Sequence, residues 1–230
     1  IPAIGLEDAA ALADFLSEHY VRPRVTVVIQ AGGESRRMGQ SKATVPFAGR
    51  PLICRLVERL SPVADELIIT TNEADKLGFL HDMYPDLTIR LVGDAYAERG
   101  ALPGLYTALA AAENPYVAVV ACDMVFASAR LVVAEALAMH ESGADLVAPS
   151  NKHGLEPMHA MYRKEGCLGA VHARTERGEK RVQSFFDDPA VTVLPFNQDR
   201  VLEVEPRGGC FINANTPDEL ARIEQSYLGE

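Results

Sequence analysis

Val25-Thr26-Val27-Val28-Ile29-Gln30-Ala31-Gly32-Gly33-Glu34-Ser35-Arg36-Arg37-Met38-Gly39-Gln40-Ser41-Lys42 is the stretch from which the fold is read. Its first five residues form a near-continuous β-branched run, which predicts a strand covered on both faces. The run passes directly into a polar loop with paired glycines, two arginines, another glycine and a lysine. Paired glycines let backbone N–H groups approach a ligand closely, and Arg and Lys bring charge that suits phosphate. A loop of this kind, at the carboxyl end of a buried strand, lies where open α/β sheets bind ligands. Two better-known phosphate loops are excluded. A Walker A loop needs Lys directly after its second glycine, whereas Gln40 follows Gly39, and no G-x-G-x-x-G occurs.

Working outward, strand and helix patterns alternate. Pro51 suits the first position of a helix whose Leu52, Leu56, Val57 and Leu60 line one face. Residues 67–70 and 88–92 read as strands, 105–112 as an Ala-rich helix, and 116–121 as a strand ending at Cys122 and Asp123. Residues 129–140 are again helical and 145–148 strand-like. A last helix is announced by Thr216 as cap, Pro217 in the first turn and Glu219 completing a capping box; Leu220, Ile223, Tyr227 and Leu228 share its face. This order predicts an α/β fold of three αβα layers, Rossmann-like, with a mainly parallel mixed sheet. Residues 154–206 read as less regular, with turn signals at Gly178, Asp187-Asp188-Pro189 and Asn197. Ahead of the domain, residues 6–20 read as an amphipathic helix presenting Leu12, Phe15, Leu16 and Tyr20. The expected organisation is an appendage over 1–22 and one domain over 23–230, with a nucleotide part to about 150 and an acceptor part beyond.

The chain has 230 residues, 48% of them apolar, and a net charge of −10. That composition excludes disorder and a disulfide miniprotein. The acidic balance argues against nucleic-acid and anionic-membrane partners, because duplex affinity needs many cationic contacts to phosphate. Cys54, Cys122, Cys167 and Cys210 are far apart, with no zinc spacing, and read as reduced thiols in a cytoplasmic protein. Residues 1–21 contain no Lys or Arg, so no signal-peptide n-region is expected.

The Gly-rich string resembles the signature of nucleotidyltransferases, and specifically that of the molybdenum cofactor guanylyltransferases, the MobA family. Further segments match in order: Gly100-Ala101-Leu102-Pro103-Gly104-Leu105, Ala121-Cys122-Asp123-Met124-Val125-Phe126, Glu156-Pro157-Met158, Gly178-Glu179-Lys180-Arg181-Val182, and Phe211-Ile212-Asn213-Ala214-Asn215-Thr216-Pro217. The resemblance implies a nucleotide-diphospho-sugar transferase type of fold and transfer of GMP from GTP to the terminal phosphate of molybdopterin, with pyrophosphate released. It implies that Lys42 meets the triphosphate, that Arg36 and Arg37 hold phosphates, and that Asp123 holds Mg²⁺. It places Gln30, Ala31, Gly32, Gly33, Asn72, Asp94 and Gly104 at the nucleotide, although Asn72 and Asp94 also read as turn or cap residues. Lys180, Arg181, Asn213 and Asn215 are the acceptor candidates, the two asparagines with the metal as an alternative contact; solvated cations and a polar network before the last helix are the alternatives. A molybdoenzyme, a chaperone or a cofactor-biosynthesis protein is the implied protein partner.

Ala31-Gly32-Gly33 and Cys122-Asp123-Met124 favour guanine over cytosine, since the related cytidylyltransferases typically read A-A-G and D-Q-P there. Gln30 stands where the family usually has Leu. Three rivals stay open: use of CTP, another phosphorylated acceptor, and a catalytically silent nucleotide-binding module.

Overall fold

A computed structural model describes residues 23–32, 41–151 and 154–228. The helix expected over 6–20, and Gly33 to Gln40 with Arg36 and Arg37, lie outside them. The chain runs β1 (Val25–Gln30), β2 (Pro46–Phe47), β3 (Arg50–Pro51), α1 (Leu52–Leu60), β4 (Glu66–Thr70), α2 (Ala74–Leu77), α3 (Phe79–Met83) and β5 (Ile89–Val92). It continues through α4 (Ala101–Ala111), β6 (Tyr116–Ala121), α5 (Ala129–Ser142), β7 (Leu146–Asn151), β8 (Gly154–Leu155) and β9 (His159–Arg163). It finishes with α6 (Lys164–Glu176), β10 (Val193–Phe196), α7 (Gln198–Val204) and α8 (Pro217–Leu228).

β1 is buried from Val25 to Ile29 because both of its faces are covered. Val27 and Ile29 join one apolar cluster with Ile53, Leu56 and Val57 of α1 and Leu131 and Met139 of α5. Val28 points the other way, into a cluster with Leu105 and Leu109 of α4 and Val171 of α6. Each such Val or Ile contributes roughly 1.5–3 kcal/mol by leaving water, so the alternation along β1 fixes three layers. The main strand order is β10-β7-β9-β6-β1-β4-β5, with β8 paired to β7. β1 lies parallel between β4 and β6, with Val28 opposite Ile68 on one side and Val119 on the other. β9 is antiparallel to both β6 and β7, which makes the sheet mixed and mainly parallel, as expected.

Several elements differ from the sequence reading. α4 starts at Ala101, four residues early, because Pro103 falls in the first turn, where a missing N–H costs nothing. Pro51 ends a short hairpin and precedes α1 rather than opening it. Pairing over two residues leaves no periodic pattern to read. Residues 154–206 are more regular than expected, holding β9, α6, β10 and α7. Asn197 there is not a turn but the cap of α7, its Oδ1 accepting from Arg200 N at 3.0 Å. The capping box of α8 is formed: Glu219 N donates to Thr216 Oγ1 at 3.2 Å, and Glu219 Oε2 accepts from Thr216 N at 3.2 Å and Asn215 N at 2.8 Å. Among the described residues no helix is long and apolar enough to cross a membrane.

Candidate active site

Parallel strands put their carboxyl ends on one edge, and β1 is where the chain order reverses. A cavity of about 370 Å³ opens there, lined by Gln30 at the end of β1 and Gly32 beyond it, Thr70 at the end of β4, Asp94 after β5, Ala121 at the end of β6 and Cys122 and Asp123 beyond it. Lys42, Arg99, Gly100, Ala101, Gly104 and Met158 complete the wall. Ligands of open α/β sheets bind in this crevice.

Three chain segments converge on one side of it. Lys42 stands in a turn tied to α1, since Ala43 O accepts from Ile53 N at 3.0 Å and Val45 O from Leu52 N at 2.9 Å. Its Nζ donates to Asp123 Oδ2 at 2.6 Å and to Asn215 Oδ1 at 3.1 Å. Asp123 is fixed by its own backbone: its carbonyl accepts from Val125 N at 3.1 Å and from Ala214 N at 3.1 Å. Cys122 N donates to Gln30 O at 3.0 Å, tying the ends of β6 and β1 together. Burial, and then the neighbouring Asp123, push the Cys122 thiol up to about 12, so Cys122 is apolar packing and not a nucleophile.

Asp94, on the cavity wall, belongs to a polar pair. Asn72 Nδ2 donates to Asp94 Oδ2 at 2.7 Å, and Asp94 N donates back to Asn72 Oδ1 at 3.0 Å. A Cβ on Gly32 would lie 3.2 Å from both Asp94 carboxylate oxygens, so glycine keeps this end open. Gln30 packs against Gly104 and leaves its Nε2 buried without a hydrogen-bond partner. Ala31, also expected at the nucleotide, donates its N–H to Thr70 O at 2.9 Å and is buried. The N-terminus of α4 faces the cavity through Gly100 and Ala101, and helix N-termini favour anions.

A second cavity, of about 380 Å³, adjoins the first through Ala101 and Met158. Its walls include Asn151, Glu156, Lys180 and Arg181. Lys180 O accepts from Leu102 N at 3.1 Å, and Lys180 Nζ lies 3.7 Å from Glu98 Oε2. Burial raises the Glu156 carboxyl above its ordinary range. The structure thus groups Lys42, Asp123 and Asn215 in one place, Asn72 and Asp94 in another, and Lys180 and Arg181 in the neighbouring cavity. Sequence reading gave no role to Arg99, Asn151 or Glu156; Arg99 directly precedes the Gly100 motif, a signal that was available.

The residues fit a hard divalent cation. Asp123 supplies a carboxylate, and Asn213, whose backbone bridges to the adjacent Met124, has a buried amide oxygen with no hydrogen-bond partner. Among the described residues no cluster of three His, Cys, Asp or Glu forms a cage. One or two carboxylates completed by substrate phosphates is the arrangement typical of Mg²⁺.

Residues 27–192 match the model of the MobA-like NTP transferase domain. The chain belongs to that family. A molybdenum cofactor guanylyltransferase of Desulfosudis oleivorans is 31% identical to this MobA-like chain over 202 residues, covering 87% of this chain and 94% of that protein. Another, of Shewanella amazonensis, is 27% identical over 205 residues, covering 88% and 97%. Among solved structures, the molybdopterin-guanine dinucleotide biosynthesis protein A of Archaeoglobus fulgidus superposes on the MobA-like fold with a TM-score of 0.76. It has 21% identity and covers 89% of this chain and 100% of that one. At that identity the likeness speaks to the fold. The MobA-like chain is a nucleotidyltransferase.

Proposed function

We propose that the chain transfers GMP from GTP to the terminal phosphate of molybdopterin. A phosphate oxygen of the acceptor attacks the α-phosphorus, the bond from that phosphorus to the β-phosphate bridge breaks, and pyrophosphate leaves with its electron pair. The observation that carries this reading is the Lys42–Asp123 contact, 2.6 Å long, in the crevice beside β1 of a MobA-like chain. Lys42 offsets charge that grows on the leaving pyrophosphate, and turns from Asp123 and Asn215 to the phosphates when those oxygens hold Mg²⁺. Asp123, Asn213 and Asn215 would hold Mg²⁺, which when bound supplies charge neutralisation between phosphate oxygens. The N-terminus of α4 favours the same anionic groups from the other wall.

Gly32, Asn72 and Asp94 form the end suited to base and ribose, with Gln30 offering an unpaired donor and Ala31 and Gly104 shaping the floor. Gly33, Arg36 and Arg37 keep the nucleotide and phosphate roles that the family resemblance gives them, and they lie outside the described residues. Lys180 and Arg181 present cations to the acceptor phosphate from the adjoining cavity, and orientation of the two reactants side by side lowers the entropic barrier. Residues 23–150 then form the nucleotide part of one domain and 151–230 the acceptor part. Four buried free cysteines suit a reducing, cytoplasmic setting.

Pyrophosphate release with Mg²⁺ and molybdopterin, compared across GTP, CTP, ATP and UTP, tests the reading. Release with GTP alone is expected. Preference for CTP would move the chain to cytidylyl transfer, and no release from folded protein would overturn transfer to this acceptor.

A further inference from the structure

Beneath the active site lies a buried pair that the transfer chemistry does not use. Glu135 of α5 and His159 of β9 are both 0% exposed. His159 Nε2 accepts from Ser128 N at 3.0 Å. Its Nδ1 lies 3.4 Å from Glu135 Oε1, a contact too long for a well-formed hydrogen bond. The ring meets Phe211 edge-on, with centroids 5.9 Å apart and planes at 89°. An Nε2 that accepts carries no proton, so the ring hydrogen sits on Nδ1 and faces Glu135.

Ser128, His159 and Glu135 are the residue types of a nucleophilic triad, yet the hydroxyl is committed elsewhere. Ser128 Oγ caps α5 by accepting from Leu131 N at 3.1 Å, and it donates to Glu205. Only the Ser128 backbone reaches the imidazole. Ser128 closes the loop that opens at Asp123, and Phe211 opens the segment that delivers Asn213 and Asn215. The two segments are joined where Ala214 N donates to Asp123 O at 3.1 Å. On the near side, Met158 O accepts from Ala121 N at 2.9 Å, one residue from the imidazole. Buried polar groups with so few partners are costly, and burial pushes the Glu135 carboxyl up to about 7.

We propose that His159 is a positioning residue: through Ser128 N and Phe211 it braces the 123–128 loop and the 211–215 segment together so that Asp123 and Asn215 both face Lys42. The proposal rests on the reading of Lys42 and Asp123 as the transfer site. Replacing His159 by Phe keeps a ring against Phe211 but removes the acceptor for Ser128 N–H. In pyrophosphate release with GTP and molybdopterin, kcat of His159→Phe is expected to fall roughly ten- to a hundredfold while KM for GTP stays within about threefold. His159→Gln, whose amide oxygen can accept from Ser128 N, is expected to recover most of that kcat. Equal impairment in the Phe and Gln variants, or a loss confined to KM, overturns the proposal. Should the Phe variant fail to fold, nitrogen-15 spectra of the wild-type imidazole decide the matter. An unprotonated, hydrogen-bonded Nε2 supports the brace, and a protonated Nε2 overturns it. A wild type that releases no pyrophosphate overturns the reading of the site and the proposal with it. An active wild type matched by its Phe variant overturns the proposal alone.

Discussion

Lys42 is held by two oxygens from distant parts of the chain, and the cost of losing it falls on chemistry rather than on folding. Its side chain is 19% exposed and that of Asp123 18%, so water can reach the carboxylate when the ammonium is removed. Lys42→Ala is therefore expected to lower kcat/KM for GTP by roughly a hundred- to a thousandfold. Its thermal midpoint is expected within a few degrees of the wild type; a variant that transfers at the wild-type rate would remove Lys42 from the mechanism. Lys42 and Asp123 were legible in the sequence because each carries a charge directly after a strand or loop motif. Asn72 and Asp94 were legible as strand-end residues, but their reciprocal pairing was not, since it joins neighbouring strands across 22 positions. Glu135 stood in the sequence as one acid inside the apolar run from Leu131 to Met139. Only the packing of α5 on β9 turns that oddity into a partner for His159.

Among the elements, α6 shows how tightly a helix can be seated on its neighbour. A Cβ at Gly166 would lie 2.0 Å from Asp145 Oδ1 and 2.5 Å from its Cγ. Asp145 cannot retreat freely: its Oδ2 accepts from Thr192 N at 3.0 Å and its carbonyl from Arg163 N at 2.7 Å. Alanine is the better helix former by about 1 kcal/mol. Overpacking of a fixed neighbour costs roughly 1–3 kcal/mol, and so outweighs that gain. Gly166→Ala is expected to lower the midpoint of urea unfolding, whereas a raised midpoint would show that Asp145 yields. The same region was the least legible in the sequence. β9 spans five residues and β10 four, too short for strong periodicity, and α6 mixes charged and apolar residues without a clear stripe. β1 and β6, uniform apolar runs, were read almost residue for residue.

For the molecule as a whole, the buried acid sets a pH dependence. Burial, only partly offset by His159, raises the Glu135 carboxyl from 4.5 to about 7 in the folded state. A group raised in this way favours folding below its unfolded value, and that contribution is lost as pH climbs through the folded one. Stability relative to Glu135→Gln is thus expected to fall by up to roughly 3 kcal/mol between pH 5 and pH 8. Denaturant unfolding at those two pH values measures it, and parallel curves for the two proteins would show that the acid does not titrate there. The converging contacts of Lys42 have a temporal consequence as well. Its partner Asp123 lies 81 positions onward and Asn215 lies 173. On the ribosome, the residues from β1 to Asp123 are synthesised long before residue 215, so a chain made only that far carries Lys42 and Asp123 but lacks Asn215. The completed constellation comes into being only once residue 215 has been made, well after β6, which ties this Lys42 geometry to synthesis far beyond the strand that precedes Asp123.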